Sequence, residues 1–196
     1  MRGALLLRLS RGRRQKKDPK RYKSRNPAKG LENLLYICPE CGAYDSFVTE
    51  KDMVRCASCG HSFRYNAYGM LEETRFETVY EFSQWQCGQT EADVDANVAY
   101  TAPHAVLNRL EDHCEIPVTE GTMTMDRDRL VCGEMEIPMQ AITDLAMHGQ
   151  RALVFTANKQ YYELLPSEGS NVFKFFRYYT VYKKNKINRQ LTENVR

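Results

Sequence analysis

Two short cysteine knuckles, Cys38-Pro39-Glu40-Cys41-Gly42 and Cys56-Ala57-Ser58-Cys59-Gly60, constrain this chain more than any other stretch. Each Cys-x-x-Cys turns two sulfurs to one side, and the glycine that follows supplies the left-handed backbone such a turn needs. Fourteen residues lie between Cys41 and Cys56, and Phe47, Val48, Met53 and Val54 flank a polar Glu50-Lys51-Asp52 turn within them. That pattern predicts a hairpin carrying one knuckle at each end. Four thiolates at this spacing, Cys38, Cys41, Cys56 and Cys59, predict a structural Zn²⁺ site with metal–sulfur distances of about 2.3 Å. Two disulfides or a redox pair would use the same cysteines, but Cys-x-x-Cys pairs make poor scaffold bridges and nothing marks the chain as secreted. Four thiolates leave no coordination position for water, so catalytic zinc is not expected. His61 can be written as a substitute ligand, although its place suits a surface residue at the next strand.

A ribbon of about 40 residues buries too little to fill a 196-residue chain, which predicts two small units. Cys87, Cys114 and Cys132 remain as scattered thiols. The net charge of +3 conceals an asymmetry. Of 28 Lys and Arg and 25 Asp and Glu, residues 1–30 hold twelve basic and one acidic, +11, so residues 31–196 hold 16 and 24, −8. The basic charge belongs to an arm, read as mostly disordered, that can meet nucleic acid or an anionic lipid surface. Within it Leu5, Leu6 and Leu9 can line a short interfacial helix beside Arg8. No apolar run approaches the roughly 18 residues of a spanning helix, so a cytoplasmic protein is expected.

Beyond the knuckles, His61 to Tyr65 alternates as a half-buried third ribbon strand, and residues 78–86 place Val79, Phe82 and Trp85 at helical spacing. Trp85 is expected as a packing anchor between the ribbon and the second unit. From about Ala92 the period changes to two. Thr122–Met125, Leu130–Cys132, Glu134–Met139, Ile142–Met147, Ala152–Thr156 and Gln160–Leu165 read as short antiparallel strands, with Asp126-Arg127-Asp128-Arg129 as a hairpin tip. Ser170 is expected to cap a final helix striped by Val172, Phe175, Phe176, Tyr179 and Tyr182. Many short strands and one aromatic-striped terminal helix predict a mainly β (α+β) chain: a zinc ribbon, then a pleckstrin-homology-like β-barrel whose open mouth the helix covers. The expected organisation is a basic arm over 1–30, the ribbon over 31–70, a helical connector over 71–91, the barrel over 92–184 and a tail over 185–196.

None of the four histidines, His61, His104, His113 and His148, has an acidic residue four or five positions later, and no GxSxG, P-loop or GxGxxG is present. No catalytic or cofactor-binding residues are assigned, and the chain is not expected to be an enzyme. The segments Asn26-Pro27-Ala28-Lys29-Gly30-Leu31-Glu32-Asn33-Leu34-Leu35-Tyr36, Tyr65-Asn66-Ala67-Tyr68-Gly69 and Thr78-Val79-Tyr80-Glu81-Phe82 with Trp85-Gln86 resemble the carboxyl-terminal extension of some bacterial 1-acylglycerol-3-phosphate (lysophospholipid) acyltransferases. Gly121 to Met125, His148-Gly149, Leu153-Val154-Phe155 and Tyr161 to Leu164 are similar to the pleckstrin-like segment that ends those proteins. The resemblance spans about Lys20 to Tyr182 but lacks the family's His-x-x-x-x-Asp catalytic motif. It implies an accessory region of phospholipid biosynthesis without its enzyme, either a truncated product or a stand-alone relative. Such a region would act with a protein partner or an acyltransferase domain and touch the inner face of an anionic membrane through residues 2–25. The alternative is a nucleic-acid-binding ribbon protein that uses the basic arm; a purely structural fragment is a third reading.

Overall fold

The computed structural model describes residues 20–112 and 114–193, which divide into two compact units at Gly88/Gln89. Most of the expected basic arm, with Leu5, Leu6, Leu9 and Arg8, lies outside the described residues, as does His113.

In the first unit a four-stranded antiparallel sheet runs in order β1 (Phe47–Glu50), β2 (Met53–Cys56), β3 (Ser62–Tyr65) and β4 (Leu71–Glu72). The sequence predicts three of these strands. The fourth arises because Asn66 Oδ1 accepts the amides of Tyr68 at 2.9 Å and Met70 at 3.0 Å, folding the chain back so that Leu71 pairs with Tyr65. Helix α1 (Val79–Asp95) begins where Thr78 Oγ1 accepts the Glu81 amide at 3.1 Å while Glu81 reaches back to the Glu77 amide at 2.9 Å. It runs well beyond the expected residue 86 and across the division at Gly88/Gln89, because nothing before Asn97, with its φ of 56°, stops it. Phe47, Phe63, Phe76 and Phe82 interlock with Leu31, Leu34, Leu35, Val54 and Leu71 as the core. Trp85 joins that cluster against Phe76 and Phe82 with Arg75 across its face, so it is an anchor of its own unit.

The second unit is a curled, seven-stranded antiparallel half-barrel with a C-terminal helix, in the order β8-β7-β6-β5-β11-β10-β9. Its strands are β5 (Tyr100–Glu111), β6 (Cys114–Met125), β7 (Arg129–Cys132), β8 (Met135–Pro138), β9 (Ile142–His148), β10 (Ala152–Ala157) and β11 (Gln160–Pro166). The meander β5–β8 and the meander β9–β11 join through β11 against β5, leaving β8 and β9 as edges. Strand β5 and the first part of β6 break the expected alternation. Register shifts between Ala102 and Ala105 and between Leu107 and Asn108 move successive residues out of phase. At the β6–β7 crossing, a side chain on Gly121 would meet the Gly133 Cα at 2.8 Å, so both positions demand glycine for space.

Helix α2 (Val172–Glu193) packs on β9 and β10 and buries Val172, Phe173, Phe175, Tyr178, Tyr179 and Val181, with the Tyr179 hydroxyl donating to the Ile142 carbonyl at 2.8 Å. The cap is Asn171, one residue beyond the expected Ser170: its Oδ1 accepts the Lys174 amide at 3.2 Å. The helix continues through Glu193 because residues after 184 include no glycine or proline to end it. Among the described residues no helix is long and apolar enough to cross a membrane.

Candidate metal centre

The lead-in to the first knuckle is held from an unexpected side. Gln86, fully buried on α1, accepts the amides of Tyr36 at 2.7 Å and Ile37 at 3.2 Å through Oε1 and donates Nε2 to the Leu34 carbonyl at 3.2 Å. One side chain therefore satisfies three backbone groups that no strand partners. Sequence reasoning missed Gln86, since a glutamine after a tryptophan carries no local signal of such a role. The second knuckle is fixed by β2, which ends at Cys56, and by β3, which begins at Ser62.

Both knuckles turn alike. The Gly42 amide bonds the Cys38 carbonyl and the Gly60 amide the Cys56 carbonyl, each at 2.9 Å, with φ of 72° and 78° at the two glycines. Every Sγ of Cys38, Cys41, Cys56 and Cys59 lies within 4.8 Å of the others, and Cys38–Cys59 and Cys41–Cys56 approach to 3.7 and 3.8 Å. Tetrahedral bonds of about 2.3 Å put sulfurs about 3.8 Å apart, so the cluster has the dimensions of a zinc cage. All four cysteines are free of disulfides. Burial pushes the Cys38 thiol up to about 12, against the pull of the Cys41 and Glu40 amides. At Cys56 burial acts in the same direction, but hydrogen bonds from Ser46 and from the Cys59 and Ser58 amides outweigh it and lower the thiol to about 6. Those donors stabilise thiolate, the form a metal takes. The four cysteines thus form a structural zinc site that closes the ribbon.

His61 stays outside this set. It leans on Phe63 at 6.0 Å between ring centres, and its carbonyl accepts the Cys56 amide at 2.8 Å. Cys87, Cys114 and Cys132 lie apart, and Cys132 is buried with its thiol raised by desolvation. Asp126 to Arg129 form the expected hairpin tip, where Asp126 Oδ1 accepts the Asp128 and Arg129 amides at 2.8 Å.

Beside the ribbon, the described end of the basic arm is fastened at two points. The Tyr22 amide donates to the Ala67 carbonyl at 2.7 Å, and the buried Ala28 donates its amide to the Lys51 carbonyl at 3.0 Å. Between and around these points Lys20, Arg21, Lys23, Arg25 and Lys29 are all exposed, with no acidic residue from 20 to 29. Tyr22 and Tyr68 are 49% and 43% exposed.

A zinc-ribbon family model described as "DNA directed RNA polymerase, 7 kDa subunit" matches residues 31–65. No curated protein matches the chain significantly. Neither finding connects the chain with acyltransferases. The family match covers a minority of the chain, and it describes the zinc-bearing ribbon to which Cys38, Cys41, Cys56 and Cys59 belong.

Proposed function

We propose that this chain is a non-catalytic binding module whose zinc-held unit engages a polyanion, with nucleic acid as the target. The observation that carries this reading is the basic segment laid on the ribbon: five exposed Lys and Arg on a backbone pinned at Tyr22 and Ala28. Pinned cations bind phosphates at a smaller entropic cost than a free tail, and exposed tyrosines beside them offer stacking surfaces to unpaired bases. The name of the ribbon family, an RNA polymerase subunit, lends support. Fluorescence anisotropy of the zinc-loaded chain with single- and double-stranded oligonucleotides over a salt series tests it. The expected result is binding whose logarithm falls linearly with that of salt, by about 0.7 per phosphate contact on single strands. Lys23→Glu with Arg25→Glu should reduce both affinity and slope, and an unchanged affinity would overturn the reading.

A second reading makes the chain an accessory region beside a membrane acyltransferase. It draws on the segments Asn26–Tyr36 and Tyr65–Gly69, which resemble that family's extension. There the same cations would meet anionic lipid. Vesicles of phosphatidylserine and phosphatidylcholine in the same assay discriminate: vesicle binding without oligonucleotide binding selects the second reading.

A further inference from the structure

On β11, Tyr162 and Leu164 are buried in the core of the second unit, so Tyr161 and Glu163 project from the opposite, outward face of the sheet. Register sets Tyr161 opposite Leu110 and Glu163 opposite Asn108 on β5, and Leu110 in turn opposite Glu115 on β6. An outward carboxylate ordinarily sits in water, yet Glu163 is 6% exposed and Asn108 7%. Among the described residues Glu163 has one partner, His148 Nδ1 at 2.9 Å. Asn108 directs Nδ2 to Glu115 Oε2 at 3.4 Å, which leaves its Oδ1 buried without any partner among the described residues. The patch therefore concentrates acceptors: two carboxylates and an orphaned amide oxygen, with one imidazole as a donor from the rim. Two residues before Glu163 on the same face stands Tyr161, 63% exposed.

We propose that this face binds an arginine side chain of a partner peptide. A guanidinium offers five in-plane donors, enough to bridge Glu163 and the Asn108 oxygen together, and its flat face stacks on an aromatic ring such as that of Tyr161. Lysine, a point charge with three donors, matches the acceptors less well and has no flat face. The unit's own Arg109 does not fill the place: it neighbours Asn108 on β5, takes the opposite side of the strand and pairs with Glu111 at 2.9 Å. The His148 side chain is 66% exposed, so its ring can turn into solvent as the guanidinium takes over its hydrogen bond to Glu163.

The test is an NMR titration of the full zinc-loaded chain with the capped peptide Gly-Arg-Gly and with versions carrying lysine or the uncharged isostere citrulline. The arginine peptide should shift the amides of Glu163, Asn108 and Tyr161, with the lysine version several-fold weaker and the citrulline version at least tenfold weaker. Glu163→Gln should weaken arginine binding at least tenfold, whereas His148→Ala, at an exposed position, should maintain or strengthen it. Equal binding of citrulline, unchanged affinity in a folded Glu163→Gln protein, loss of binding in His148→Ala, or no shift by about 10 mM peptide would each overturn the assignment. Should Glu163→Gln not fold, Tyr161→Ala decides, with several-fold weakening in support and no change against.

Discussion

The two units reach order by different means. In the first, strands of four residues and a two-residue β4 enclose a modest aromatic cluster, and its two knuckles close on four sulfurs. In the second, a seven-stranded sheet and a 22-residue helix enclose a larger core that includes Leu107, Met123, Leu130, Leu153, Phe155 and Phe175, with no group of metal-ligating residues among those described. Short strands cannot cover enough apolar surface to offset their chain entropy, so the first unit draws on metal coordination where the second draws on packing. Metal dependence in this protein is therefore a property of size and strand length, and it should be confined to one unit.

Removing zinc is the harshest way to break that contrast. Chelation, or Cys56→Ser, should forfeit a coordination free energy of about 10 to 16 kcal/mol apparent and unfold the first unit. Amide NMR should then retain the dispersed β-strand signals of the second unit; loss of both sets together would refute independent stabilisation. Next in size is Gln86→Ala, which leaves the Tyr36 and Ile37 amides and the Leu34 carbonyl buried without partners. The expected cost is about 2–4 kcal/mol in the first unit alone, read as a lower melting temperature at saturating zinc.

The second unit should instead be sensitive to alkali. Burial raises Tyr178 from 10.0 to about 12, with Asp126 adding to the shift, and burial likewise raises Tyr179 to about 12. A folded pKa above the unfolded one favours the neutral ring in the fold. Its stabilisation is complete below pH 10 and declines as pH rises toward 12, by about 1.4 kcal/mol per pH unit for each tyrosine. The Tyr178 hydroxyl is buried with no hydrogen-bond partner among the described residues, so Tyr178→Phe should raise stability by about 1 kcal/mol at neutral pH and shallow the alkaline decline. Denaturant melts at pH 7 and 11 measure both. The smallest effect is common to both units: Arg64→Ala, opposite Asp52, and Arg129→Ala, opposite Glu136, remove exposed ion pairs and should each cost about 0.5 kcal/mol or less.

The site was legible because its chemistry is local: a Cys-x-x-Cys-Gly turn writes its ligands and its backbone into five consecutive residues. The later strands were legible where they alternate in register, as Leu130, Cys132, Ile137 and Ile142 do by falling on the core side. Strand β5 was hidden by the bulge between its Ala102 and Ala105, and the burial of Glu163 by its dependence on strand partners far along the sequence. Gln86 was illegible for another reason. Its three bonds reach back about fifty residues to Leu34, Tyr36 and Ile37, and nothing within its own helix anticipates partners so distant in sequence.

The four sulfurs are not equally accessible: Cys38 and Cys56, which open the two knuckles, are buried, whereas Cys41 and Cys59, which end them, are exposed. Metal exchange is accordingly one-sided. An incoming thiol or chelator would reach Cys41 and Cys59 first, whereas Cys38 and Cys56 would be the ligands least open to attack. The rate of zinc loss should thus depend on competitor concentration, and an oxidant reaching the same two sulfurs would discharge the metal before any core residue is exposed.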